Sequence, residues 1–155
     1  MAKPSEYERS SAALAAGAVG TAEREALAAE AEACGVESDL VAEAAAIVRT
    51  DSTPVGGGFL RRRRKPVATT LLLTGPYLAV VAVEAGSRPI ARIYRLATVE
   101  IAEYRPTLIE DVGIELTGSP LGGTEPATRF LPLDEGADGM AFRRSLDDAI
   151  AAGRR

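Results

Sequence analysis

The sequence predicts an α+β protein that is mostly β: a bent antiparallel sheet or barrel, capped by a C-terminal helix and preceded by an alanine-rich helical segment. Three observations predict this fold class. A Gly-Pro pair divides the longest apolar run, Thr69 to Glu84. Short stretches of alternating apolar and polar residues follow it, which is the period of half-buried strands. Near the C-terminus the apolar residues change to helical spacing.

The apolar run is predicted to form two strands joined at Gly75 and Pro76. A membrane-spanning helix needs about 20 consecutive apolar residues, and Thr74, Gly75 and Pro76 interrupt this run. The proline also argues against a buried helix, because it removes a backbone hydrogen bond and clashes with the preceding turn. Glycine supplies the positive φ, and proline the fixed φ, of a tight hairpin turn.

The segments that follow are predicted to be short antiparallel strands. A turn is expected at 84–89, and strands are expected in PIARIYRL, ATVEIAEYR and VGIEL, where apolar and polar residues alternate. A final strand is expected from Ala127 to Leu133. Pro132 indicates an end or an edge there, because it cannot donate to a strand ladder.

One amphipathic helix is predicted over 138–152. Asp138 is its expected N-cap, and Gly153 is expected to end it. Its apolar residues at helical spacing are Phe142, Leu146, Ala149 and Ile150. Such a stripe needs an apolar surface, which the open end of a curved sheet would provide.

Residues 1–50 are predicted to be a helical arm, because they contain sixteen alanines and few large apolar side chains. Thr21 is expected to cap a first helix that ends at Gly35, and Ser38 to cap a second over 39–49. The second helix would bury a stripe of Leu40, Val41, Ala44, Ile47 and Val48. Short isolated helices are marginal in water, so we expect the arm to pack on the β domain, to pair with a second copy, or to fray. Residues 51–58 are expected to be a Gly-rich linker.

The charge distribution bears on the class of partner. A net charge of -4 and an isoelectric point near 5.0 argue against nucleic-acid binding, because that function normally rests on a basic surface. Residues 1–50 contain nine acidic and four basic side chains, whereas residues 61–105 contain nine basic and three acidic ones. An anion-binding surface is therefore expected in the middle of the chain.

The sequence predicts no catalytic residue, cofactor or metal site. Histidine, the usual acid-base group near neutral pH, is absent, and the single cysteine, Cys34, is interpreted as structural. Asp134, Glu135 and Asp138 lack the spacing of a calcium loop. An enzyme with an unfamiliar carboxylate site is a weaker alternative. The lone cysteine and the absence of an apolar run at the start of the chain predict a cytoplasmic protein.

The basic segment formed by Arg61, Arg62, Arg63, Arg64 and Lys65 allows two interpretations. Its crowded charge could begin a strand and prevent edge-to-edge pairing. It could also bind an anion, since Arg61, Arg63 and Lys65 would share one face of an extended strand. Each basic residue near an anionic membrane contributes about 1 kcal/mol, so the attachment would be weak and salt-sensitive.

The order of these patterns resembles the bacterial pleckstrin-homology-like (PH-like) domains over residues 59–153. The resemblance rests on LLLT, a tight turn, YLAVVAVE, IYRLATVEIAEY with a step from Leu96 to Val99, VGIEL, ATRFLPL and the closing helix. It implies a bent seven-stranded sheet, with the seventh strand at Phe59–Lys65 or Gly122–Glu125. The TGPY turn has no positive charge, so the resemblance does not imply the inositol phosphate binding of eukaryotic members.

These observations predict a non-catalytic intracellular binding module, a scaffold that interacts with proteins. In a PH-like domain, the groove between the C-terminal helix and the adjacent sheet edge could accept an extended peptide as an added strand. The candidate groove residues are Val112, Ile114, Leu116, Phe142, Leu146 and Ile150. The alternative is peripheral binding to anionic lipid, or to another polyanion, through Arg61–Lys65.

Overall fold

Two antiparallel sheets and two α-helices form the described part of the chain, which comprises residues 3–56, 64–106, 108 and 111–153 of a computed structural model. The elements in order are β1 (Tyr7–Ala13), α1 (Thr21–Ala33), β2 (Ala46–Pro54), β3 (Val67–Thr74), β4 (Tyr77–Glu84), β5 (Ile90–Arg95), β6 (Glu100–Glu103), β7 (Gly113–Gly118), β8 (Ala127–Pro132) and α2 (Ala137–Gly153). The mostly β, α+β class predicted from the sequence is confirmed. The two sheets do not close into a barrel.

Each strand pairs with its neighbours along the chain. The first sheet has the order β1-β2-β3-β4-β5 and the second the order β6-β7-β8. A 3-10 turn at Leu96–Thr98 leads from one sheet to the other. The predicted hairpin is confirmed: Thr74 lies opposite Tyr77, and Gly75 has a φ of +53°, a conformation that favours glycine.

The first sheet is buried on both faces near its centre. Consecutive residues of a strand point to opposite faces, and Leu71 and Leu72 are both 0% exposed. Leu71 belongs to the core formed with the second sheet and α2, whereas Leu72 belongs to the core formed with α1. Two-sided burial explains why β3 and β4 are continuous apolar runs rather than alternating ones.

Helix α2 covers one side of the space between the sheets, as the amphipathic pattern predicts. Phe142, Leu146 and Ile150, each four residues from the next along one stripe, are buried in the core that the two sheets share. The helix also lies close to β1, β2 and the turn at Leu96–Thr98. Among the described residues, neither helix has the length and the apolar content that crossing a bilayer requires.

The N-terminal segment differs from the predicted helical arm. A helix does lie at Thr21–Ala33, after an N-cap at Gly20 rather than Thr21, but residues 7–13 form β1. The helix predicted over 39–49 is wrong, because residues 40–43 form a turn and β2 begins at Ala46. Asp39 stabilises this turn by accepting hydrogen bonds from the backbone N–H groups of Val41 and Ala42.

The segment predicted as a linker is also partly a strand. Asp51–Pro54 complete β2, and the N–H of Val55 donates to the carbonyl of Glu6 at 3.1 Å. The seventh strand expected from the PH-like resemblance is not found at Gly122–Glu125 or at residues 64–65. Residues 59–63 lie outside the described part of the chain. The strand that precedes β3 and pairs with it is instead β2.

The outer edge of β1 is tied to the second sheet and to α2 by three aspartates. They meet every second residue of the strand: Arg9 with Asp111, Ser11 with Asp134, and Ala13 with Asp138. Arg9 makes a bidentate ion pair with distances of 2.7 and 2.9 Å. The carboxylates accept the N–H groups of Ser11 and Ala13 at 2.8 and 2.9 Å. These contacts pair an edge that would otherwise be open to other chains.

We expect Asp134→Ala to destabilise the fold by about 1–3 kcal/mol, because it leaves the N–H groups of Ser11 and Gly136 without their carboxylate acceptor. Urea denaturation followed by circular dichroism measures this loss. The matched control is Glu135→Ala, at the exposed neighbouring residue. Equal unfolding midpoints for the two variants would show that the aspartate does not hold the β1 edge.

Candidate binding site between the two sheets

A groove lies where β8 of the second sheet passes over the inner face of the first sheet, next to β5. Both strands are the last of their sheets. We call this cavity, of about 460 Å³, the seam groove. Its lining residues are Thr69, Val80, Ala82, Ile90, Arg92, Tyr94, Arg129, Phe130, Leu131 and Pro132.

Strand alternation places three residues of β5 along one wall of the seam groove. Ile90, Arg92 and Tyr94 share one face, with Arg92 opposite Val80 in the register with β4. Tyr94 is only 1% exposed, whereas Ile90 is 60% exposed. The wall therefore runs from a buried tyrosine, past an arginine, to an isoleucine open to solvent.

Strand β8 supplies a second arginine from the opposite side. Arg129 lies opposite Leu116 and Leu131 lies opposite Ile114 in the register with β7, so both project from the core-facing side of β8. Leu131 is buried, but Arg129, two residues earlier, is exposed where the sheet leaves the core. Its guanidinium lines the seam groove and shares a side-chain hydrogen bond with Tyr94.

The electrostatics of the seam groove favour an anion. Burial raises the pKa of Tyr94 above its usual value, and the positive charges of Arg129 and Arg92 oppose that shift without cancelling it. Both guanidinium groups thus act on one hydroxyl. None of the described residues that line the groove is acidic. Its positive charge has no carboxylate partner within it, and two arginines with a hydroxyl match the oxygen atoms of a carboxylate or phosphate.

A second groove, of about 540 Å³, lies between α2 and the second sheet, and several of its charged side chains already have partners. Asp111 binds Arg9, and Asp134 accepts the N–H groups of Ser11 and Gly136. The Nε of Arg143 lies 3.5 Å from a carboxylate oxygen of Asp147. This groove therefore has both signs of charge and gives a weaker preference for one class of ligand.

The structure corrects the predicted partner groove. Five of its six residues, Ile114, Leu116, Phe142, Leu146 and Ile150, are between 0% and 6% exposed and form the core between the sheets and α2. They cannot contact a partner unless the core opens. The sixth, Val112, is partly exposed and lines the groove beside α2.

A third groove, of about 600 Å³, lies between α1 and the loop that follows it. Arg24, its basic residue, donates to the backbone carbonyls of Val19 and Ala16. Cys34 lies at the end of α1, with its Sγ 3.4 Å from the carbonyl oxygen of Leu121. Burial raises the pKa of its thiol, and the carboxylate of Glu30 adds to the shift. The thiol is therefore held protonated, which fits the structural interpretation.

The basic segment is only partly described. Arg61, Arg62 and Arg63 lie outside the described residues. Arg64 pairs with Glu6 at 2.7 Å, and Lys65 is exposed. The carbonyl of Pro66 accepts the N–H of Ala85, so the chain at Lys65 enters the sheet near the turn between β4 and β5.

Arg92 belongs to the basic region predicted in the middle of the chain, whereas Arg129 and Tyr94 were not among the candidate residues predicted from the sequence. The local signal for Arg129 is its position two residues before Leu131 in an alternating strand. For Tyr94 the signal is its position two residues after Arg92. Neither signal predicts that β8 and β5 lie close together in the fold.

Within the described residues, no three acidic, cysteine or histidine side chains converge as a metal site would require. Models of protein families, curated proteins and solved structures were compared with the chain, and none gives a significant match.

We expect Tyr94 to ionise at a higher pH than exposed tyrosines, because burial disfavours the tyrosinate. The raised pKa of Tyr94 also makes the free energy of unfolding depend on pH. Its stabilising contribution is fully present below the ordinary tyrosine pKa, and it is lost as the pH rises through the raised pKa of the folded protein. The difference in alkaline absorbance titration between the wild type and Tyr94→Phe isolates this group. Arg129→Gln should raise the pKa further, and a lower pKa in that variant would contradict the placement of the guanidinium.

Proposed function

We propose that this chain is a non-catalytic binding module of PH-like architecture, and that it binds an acidic segment of a protein partner in the seam groove. The observation that carries the proposal is the pair of arginines, Arg92 and Arg129, in a groove whose described lining has no acidic residue. A peptide segment with an Asp or Glu side chain matches this charge and also gains from contact with the apolar walls.

The strand order supports the PH-like part of the proposal. Four consecutive strands, β2 to β5, form most of one sheet, three form the other, and α2 follows the last strand. This order fits seven strands and a terminal helix over residues 46–153. Strand β1 and helix α1 are then additions, and they account for the extra strand and for the covered outer face.

The chemistry of the groove supports binding rather than catalysis. Arginine stays protonated in proteins, and the raised pKa of Tyr94 keeps its hydroxyl protonated near neutral pH. None of these groups exchanges a proton readily under such conditions, which general acid-base catalysis requires. Fixed donors of this kind instead suit recognition of an anion by a cytoplasmic scaffold.

We expect the variant Arg92→Gln/Arg129→Gln to bind protein partners about a hundredfold more weakly or worse, because each of the two lost charged hydrogen bonds costs about 1.5–3 kcal/mol. Immobilised wild type and variant are incubated with lysate from the source cells, and the recovered proteins are quantified by mass spectrometry. The matched control, Arg105→Gln/Arg144→Gln, removes the same charge at exposed residues outside the seam groove.

Unchanged recovery with the seam variant, with its circular dichroism spectrum and melting temperature intact, would contradict the proposed site. Co-sedimentation with phosphatidylserine vesicles at low and moderate salt tests the lipid alternative. Vesicle binding that survives the seam substitutions but is lost when Arg61–Lys65 is neutralised would assign the function to the basic segment instead.

A further inference from the structure

We infer that the partner segment binds as an added strand on the outer edge of β8, with an acidic side chain between Arg92 and Arg129. This inference rests on the proposed function, and it specifies the conformation and the residue pattern of the partner. It follows from the state of the β8 backbone, from strand alternation at the seam groove and from the charge of the edge.

The outer edge of β8 is unpaired over most of its length. The strand pairs with β7 on one side and is the last strand of its sheet. Its first three residues, Ala127, Thr128 and Arg129, are exposed. Within the described part of the chain, no hydrogen bond joins the backbone of 127–131 to an element other than β7. Alternate N–H and C=O groups of this edge therefore have no backbone hydrogen-bond partner within the described residues, and an extended peptide can supply one.

The seam groove borders the same edge, since Arg129 and Leu131 line it. A strand laid beside β8 points every second side chain into the groove, and those side chains are about 6.6–6.8 Å apart. One of them reaches the two arginines, and the next reaches the apolar surface of Val80, Ala82 and the exposed Ile90. The predicted partner pattern is thus an acidic residue and an apolar residue separated by one position.

The charge of β8 argues against a second copy of this chain as the occupant. If two β8 strands paired edge to edge in antiparallel fashion, the Arg129 side chains of both copies would lie on the shared ladder. Like charges at such positions destabilise the pairing. An edge arginine commonly prevents self-association, and here it also selects an acidic strand.

The probe is the acetylated and amidated pentapeptide Val-Thr-Glu-Thr-Val, which presents the same face in either strand direction. Its binding to the full chain is followed by amide chemical shifts in heteronuclear NMR. We expect the largest changes at 127–131 and at Arg92. Replacing the glutamate of the peptide by glutamine, or Arg129 of the protein by glutamine, should weaken binding about tenfold, which corresponds to one charged contact. The control Arg144→Gln should bind the peptide as the wild type does.

Two N-methylated peptides distinguish strand addition from simple charge attraction. One is methylated at both threonine nitrogens, and the other at the nitrogens of the glutamate and the C-terminal valine. These two sets of N–H groups point to opposite edges of an extended peptide. We expect one isomer to lose binding and the other to keep it.

Equal binding of both isomers, with the dependence on Arg92 and Arg129 retained, would overturn strand addition and leave the proposed function standing. Absence of any chemical shift change at 127–131 at millimolar peptide would overturn it as well. Loss of the arginine dependence for the peptide and for the partners recovered from lysate would overturn the proposed function itself.

Discussion

The burial of the first sheet on both faces is the constraint on which the rest of the structure depends. The hairpin of β3 and β4 places Leu71 and Leu72 on opposite faces, and both are completely buried. Apolar area removed from water stabilises by roughly 25 cal/mol per Å², so both faces must be covered. Helix α1 covers one face, and the second sheet with α2 covers the other.

The second sheet and α2 are attached to the first sheet differently on its β1 side and on its β5 side, and this difference creates the seam groove. On the β1 side the cover is fixed by the aspartates at positions 111, 134 and 138, which reach across to the edge strand. On the β5 side the side chains of Arg129 and Tyr94 share a hydrogen bond, and the N–H of Leu121 donates to the carbonyl of Ile93 at 2.8 Å. Within the described residues, no backbone hydrogen bond joins β8 to β5. The inner face of the sheet therefore stays accessible beside Tyr94 and Arg92. The candidate site is a consequence of how the core is closed.

Local signals predicted the β3–β4 hairpin because Gly75 and Pro76 specify a turn and the flanking β-branched residues favour strands. Strand β2 could not be predicted in this way. Leu40, Val41, Ala44, Ile47 and Val48 satisfy helical spacing, and only pairing with β3, which sets Val48 opposite Leu71, decides for a strand. Tertiary pairing overrides weak helical periodicity here.

The candidate site was less predictable than the fold, because it joins residues from two sheets. The alternating pattern around Ile114 and Leu116 predicts an apolar face of a strand, but it does not distinguish an exposed binding face from a buried one. The structure places both residues in the core. Arg92 belonged to a basic region visible in the sequence. Arg129 lines the groove only because β8 crosses the first sheet, and no local sequence pattern predicts that crossing.

Amide hydrogen exchange of the free protein, resolved by residue, tests most directly whether one sheet is buried on both faces while the edge of β8 is left open. We expect the amides of Leu71, Leu72 and Ala79 to exchange slowest, and alternate amides of Ala127–Leu131 to exchange near the rate of an unpaired strand edge. Uniform protection along β8, equal to that of β3, would show that the edge is covered and that the seam groove is closed in the free protein.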